Sequence, residues 1–138
     1  MTFSVGTVSI VCKNAYFTGQ KKVDELPAYI AAYDVCINPQ MVNKITNGNY
    51  PLKIDEYLAM GKPTVATSTH TMRNIFTGHT HLAINPEEWL AAIDRAVTEA
   101  DDKELAKQRI AFAETHSWGH SVKKIYEIID SFLKKKTT

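Results

Sequence analysis

Lys53 and Glu56 stand three residues apart, just after the glycine-containing stretch Thr46-Asn47-Gly48-Asn49-Tyr50 and Pro51. Proline is at home at the first position of a helix, because its missing N–H has no intrahelical partner there. A helix start presents unpaired N–H groups and the positive end of the backbone dipole, which together can receive a phosphate. Gly48 would let the backbone approach such a ligand closely. Lys53 falls in the first turn, where a cation opposes the dipole; this placement is sensible if the side chain faces a bound anion. It reads equally as an exposed surface lysine. Glu56, on the same face one turn later, could accept hydrogen bonds from two ribose hydroxyls, or could pair with Lys53 at i,i+3 on a solvated face.

Other candidates carry less. His70, His79 and His81 fall in a polar stretch, and His79 with His81 at i,i+2 could in principle hold a metal. No Cys or carboxylate cluster accompanies them, so a surface loop is the expectation and no metal is expected. Cys12 and Cys36 lie inside the apolar runs Ser9–Cys12 and Val35–Ile37, without metal-ligand spacing. They read as buried free thiols of a reducing compartment. Trp89 and Trp118, at helical spacing with aliphatics, read as core. Ser117 and Ser121 lie near histidines but have no nucleophile-elbow context.

The elements that position these residues follow from the pattern. Thr7–Cys12 and Ala15–Gly19 read as strands, and Asp24 caps a helix running through Ala32 with Pro27 near its start. Tyr33–Asn38 reads as a buried strand and Gln40–Tyr50 as a loop. Pro51 opens a helix to Met60 that Gly61 stops at the C′ position, with Pro63 beyond it. Pro63–Thr67 is a strand, Ser68–His79 a polar connection, and His81–Ile84 a short strand. A helix from Pro86 carries Trp89, Leu90, Ile93 and Val97 on one face, and Asp101–His116 and Ser117–Lys134 form two more. Strands alternating with helices indicate βαβ units and a parallel sheet, with ligands beyond the carboxyl ends of the strands. The expected fold class is therefore α/β, a Rossmann-like parallel sheet with flanking helices.

Bulk properties agree with one soluble domain. The chain has 138 residues, is 44% hydrophobic and 22% charged, and carries a formal net charge of +1. That balance argues against a nucleic-acid partner, which calls for a basic face or stripe. The run Lys134-Lys135-Lys136 reads as a solvated tail or a weak contact with anionic lipid, where each lysine adds about 1 kcal/mol. No stretch approaches the ~18 apolar residues of a spanning helix, and nothing reads as a signal peptide. A cytoplasmic location, at most peripheral to the membrane's inner face, is the expectation.

The segment Tyr50-Pro51-Leu52-Lys53-Ile54-Asp55-Glu56-Tyr57-Leu58-Ala59-Met60-Gly61-Lys62-Pro63-Thr64-Val65-Ala66-Thr67 resembles the signature of retaining glycosyltransferases of family 4, which have the two-domain GT-B fold. Phe17-Thr18-Gly19, Glu25–Ile30 and Asp34–Pro39 resemble the strand–helix–strand that precedes this signature in the family's C-terminal, Rossmann-like domain. Thr115-His116-Ser117-Trp118 resembles a junction of its closing helices. The resemblance runs from about Ala15 to Phe132.

The resemblance implies a nucleotide-diphosphate sugar, a UDP- or GDP-sugar, as donor substrate and no other cofactor. It implies that Glu56 holds the ribose and that the amides of Leu52 and Lys53 meet the diphosphate, with Lys53 adding charge. Gly19 and Lys21 fall where the family places the nucleobase. Asn43 and Thr46 lie in the loop expected to meet the sugar. The family's second glutamate, eight residues before the ribose one, is replaced by Gly48, so sugar contact would come from elsewhere, Thr46 or Asn47 being the nearest candidates. Two further strands, a glycine-rich loop and an N-terminal acceptor domain normally precede the part that begins near Ala15, and only about fourteen residues stand there. The chain is thus expected to be a partial donor-binding domain, with C-terminal helices over about 86–134, weakly active or inactive alone. No catalytic residue is assigned. The competing reading is a non-catalytic Rossmann-like module that forms a homodimer through an exposed sheet edge.

Overall fold

The structure, a computed structural model, describes residues 4–5, 8–9 and 14–136. Near the N-terminus, β1 (Ser4–Val5) pairs antiparallel with β2 (Val8–Ser9). Then follow α1 (Leu26–Ala31), β3 (Cys36–Asn38), a 3-10 turn (Thr46–Gly48) and α2 (Leu52–Ala59). The remainder is β4 (Thr64–Thr67), α3 (His70–Ile75), β5 (His81–Ala83), α4 (Pro86–Thr98), α5 (Lys103–Glu114) and α6 (Trp118–Lys136).

The order β3-β4-β5 forms one parallel sheet, with Ile37 opposite Val65 and Ala66 opposite Leu82. Every residue of β4 is buried, as expected of a central strand covered on both faces. Alternation along β4 divides the core in two. On one face Ala66 meets Ile54 and Leu58 of α2, Met72 and Phe76 of the α3 segment, and Ala113 of α5. On the other, Val65 meets Ala83 and the small residues Ala92 and Ala96, which bring α4 against the sheet. This is a Rossmann-like α/β sheet with helices on both sides.

The helix ends explain why the chain turns where it does. Asn85 caps α4 by accepting from Glu88 N at 2.9 Å, and Glu88 reaches back to Ile84 N at 2.7 Å. Asp102 caps α5 through Glu104 N and Leu105 N. Past the end of α2, Gly61 takes φ +72°, and a Cβ placed there would stand 3.1 Å from the Ala106 Cβ. Glycine thus both permits the left-handed turn and lets α5 approach. Arg109, buried on α5, donates to the Gly61 carbonyl at 3.4 Å and pairs with Glu99, which also holds His81 at 3.0 Å. The charged pair joins α5 to the end of α4 and to β5.

Several sequence expectations are corrected. Residues 15–19 form no strand: the stretch is exposed throughout, and strand composition alone does not fix a strand. Asp24 does not cap α1: Glu25 occupies that position, and its side chain accepts from Lys22 N instead. The strand expected over Tyr33–Asn38 is confined to Cys36–Asn38. Within Ser68–His79 lies α3, capped by Thr69, which accepts from Met72 N. Six residues with only Met72 buried are too short to show a helical period. On α4 the buried face is Trp89, Ala92, Ile93 and Ala96, whereas Leu90 and Val97 are exposed. Trp118 is 88% exposed and belongs to no core. Of the expected strand Thr7–Cys12, Val8–Ser9 is a strand; Thr7 and Ile10–Cys12, with the thiol of Cys12, lie outside the described residues.

Candidate functional site

A cavity of about 700 Å³ opens beside β3 and α2. One wall is α1 and the residues after it, with Leu26, Tyr29, Ile30 and Tyr33; β3 supplies Cys36 and Ile37; α2 supplies Lys53, Glu56 and Tyr57; and Thr18, Gly19 and Lys21 close the rim. Four of the expected site residues, Gly19, Lys21, Lys53 and Glu56, therefore meet in one place although 37 positions separate the first from the last. α2 brings Lys53, Glu56 and Tyr57 to the cavity because Ile54 and Leu58, one turn apart, are fully buried on the other side. No ion pair joins Lys53 to Glu56 among the described residues, so both exposed charges point to the cavity unpaired by each other.

Leu52 and Lys53 open α2, and Pro51, at the cap position, provides no side-chain acceptor for their N–H groups. Lys21 places its ammonium 4.8 Å from the centre of the Tyr29 ring, and contact with the Tyr29 side chain raises its pKa. Burial pushes the Cys36 thiol and the Tyr57 phenol up, so neither ionises near neutral pH. The cavity thus offers tyrosine walls, the Lys21 and Lys53 cations and the Glu56 carboxylate.

The loop residues stand apart from it. Asn43 Oδ1 accepts from Ile45 N and Thr46 N at 2.9 Å each, and Thr46 Oγ1 accepts from Asn43 N and donates to the Met41 carbonyl. Asn47 Oδ1 accepts from His70 N at 2.8 Å, fastening the turn to the start of α3. Asn43, Thr46, Asn47 and Gly48 do not line the cavity. Polar side chains in such a loop satisfy its backbone first. A Cβ at Gly48 would meet nothing within 4 Å, so the backbone there has room for a side chain.

Sequence reasoning missed the tyrosines. Tyr29 and Tyr33, four apart on and just after α1, and Tyr57, next to Glu56, line the cavity; the i,i+4 aromatic spacing was the available signal. His79 and His81 are drawn elsewhere, His79 onto the Phe112 ring at 3.8 Å between centroids and His81 onto Glu99. Among the described residues no three His, Cys, Asp or Glu side chains gather as a metal site would require.

Residues 7–99 match the family model described as glycosyl transferases group 1. The chain belongs to that family. The match covers the cavity, α2 and the whole parallel sheet, so the elements that build the site are the elements the family shares. A relative from Bacillus subtilis (strain 168), TuaH, named as a teichuronic acid biosynthesis glycosyltransferase, is 29% identical over 108 residues. The aligned stretch is 76% of this chain and 27% of that protein's length. No solved structure matches the chain significantly. No described helix is long and apolar enough to cross a membrane.

Proposed function

We propose that the cavity between α1, β3 and α2 binds a nucleotide-diphosphate sugar, the donor for glycosyl transfer with retention. The observation that carries this reading is the meeting of Lys53 and Glu56 of α2 at one cavity with Gly19 and Lys21; Leu52, the first residue of the helix, lines a neighbouring cavity. Glu56 takes the two ribose hydroxyls, a carboxylate being the acceptor-only group suited to paired O–H donors. The Leu52 and Lys53 amides take the diphosphate, and the Lys53 ammonium adds the opposite charge that the helix dipole alone leaves short. The nucleobase lies toward Gly19 and Lys21, against the tyrosine walls. Sugar contact by Asn43, Thr46 or Asn47 requires the loop hydrogen bonds to be exchanged for ligand ones.

Chemistry in this reading is departure of the diphosphate, stabilised by charge and amides rather than by a covalent step. The residues named here supply contacts to the donor, and none is assigned to the acceptor. Calorimetric titration with UDP and GDP tests donor binding. Glu56→Ala lowers affinity by at least about tenfold, the loss of a pair of hydrogen bonds to a charged group. Binding that ignores Glu56→Ala removes the site assignment. A stable dimer with no nucleotide affinity favours instead the assembly module, for which the exposed edge strand β3 and its half-exposed Ile37 are the available surface.

A further inference from the structure

Asp55 and Glu56 are neighbours on α2 that serve opposite sides of it. Glu56 faces the donor cavity, whereas Asp55 borders a second cavity of about 560 Å³ with Leu52 and the α5–α6 junction. The Asp55 carboxylate is held twice. The Tyr50 hydroxyl donates to one oxygen at 2.6 Å, and His116 Nδ1 lies 2.8 Å from the other. Tyr50 precedes α2, Asp55 sits in its first turn, and His116 follows α5, so one carboxylate ties three parts of the chain together. The tie is set in rings: His116 meets Phe112 edge-on at 4.6 Å and Phe76 at 5.8 Å, and Tyr50 meets Phe76 at 5.5 Å. Burial first, then the neighbouring carboxylate, pushes the Tyr50 phenol up, so it stays a donor at ordinary pH.

A carboxylate in the first turn of a helix ordinarily competes for the same N–H groups that would receive a phosphate. Here both oxygens are engaged, by Tyr50 and His116, so the carboxylate is held away from that competition. Pro51 contributes no cap, so this rear link is the side-chain anchor of the helix start. We propose that His116, acting through Asp55 and together with Tyr50, is a positioning residue. It fixes the first turn of α2 so that the Leu52 and Lys53 amides and the Glu56 carboxylate face a nucleoside diphosphate. The proposal rests on the donor-site reading for its ligand but not for the mechanical link.

The test uses the full chain and three variants. His116→Phe keeps a ring and deletes the donor; His116→Asn places an amide N–H near the position of Nδ1; Tyr50→Phe removes the other donor. Hydrogen exchange across residues 50–56 and titration with UDP and GDP are measured for each. His116→Phe should speed exchange at 54–56, where the amides are hydrogen-bonded from Ile54 N to the Pro51 carbonyl onward, about tenfold and raise Kd about tenfold, while His116→Asn restores both to within about threefold of the parent. Equal exchange and affinity in His116→Phe and the parent overturn the proposal, and so does a His116→Asn variant as impaired as the Phe one, since returning the N–H would then restore nothing. If His116→Phe does not fold, Tyr50→Phe is read by the same two criteria. Failure of the parent to bind either nucleotide removes the donor reading, and exchange at 54–56 then decides the link by itself.

Discussion

His79 shows how a residue that looks like a candidate ligand is used by the core. Its ring stacks on Phe112 at a 15° tilt, and burial, then the facing His116, lowers its pKa. A base whose folded pKa is depressed takes up its proton more readily when unfolded. The stability it contributes is therefore complete above the unfolded value of about 6.5 and is lost as pH falls through the folded one. The drop in Tm between about pH 7.5 and about pH 5.5 should be smaller in His79→Phe than in the parent, because the variant keeps the stack and has nothing to titrate. Equal drops would show that His79 is as free to protonate in the folded chain as in the unfolded one. The same contrast separates the site residues that sequence placed from those it did not. Lys53 and Glu56 were legible because helix period fixes their common face. Asn43 and Thr46 were legible only as loop residues, and in the structure each side chain accepts from the other residue's backbone N–H, with the Thr46 hydroxyl donating to the Met41 carbonyl.

At the scale of elements, α2 was the most readable because its punctuation is chemical. Pro51, Gly61 and Pro63 each have one backbone reason to stand where they do, and the helix lies between them at Leu52–Ala59. β4 was readable because a short β-branched run beyond such a stop has to be a covered strand. α3 was hidden by its length, and the capping Thr69 was its one local mark. The Ala15–Gly19 run had strand composition but is exposed throughout, and composition alone does not make a strand. Gly61 also makes a testable claim on packing. Gly61→Ala adds a Cβ 3.1 Å from the Ala106 Cβ at a φ of +72°, so both the backbone and the α2–α5 contact are strained. Urea unfolding should show a loss of about 1–3 kcal/mol with an unchanged m-value. A loss under about 0.5 kcal/mol would mean that α5 shifts away at little cost and does not hold α2 in place.

At the scale of the molecule, the parallel sheet and its two cores account for the buried residues from Ile30 to Ala113, and α6 contributes none of them. Val122, Ile125, Tyr126, Ile129 and Phe132 of α6 are all exposed, although their spacing is that of an amphipathic helix. Sequence period alone therefore predicted the helix correctly and said nothing of what its apolar face packs on. That face and the proposed donor cavity lie in a chain that aligns with only 27% of its relative's length. Stability should then reside in the part before α6. Removing residues 125–138 leaves His116, Trp118 and Lys124 in place and takes away no buried side chain among the described residues. Such a truncation should move Tm by less than about 2 °C, since a helix without buried area adds little beyond its own marginal propensity. A fall of more than about 5 °C, roughly 1 kcal/mol for a domain of this size, would show that α6 folds back onto the sheet domain in solution. The outcome also bears on the donor site, because α6 begins two residues after His116. If the truncated chain keeps both its Tm and the slow exchange at 54–56, the link from His116 to α2 is supported by α5 and the aromatic cluster alone.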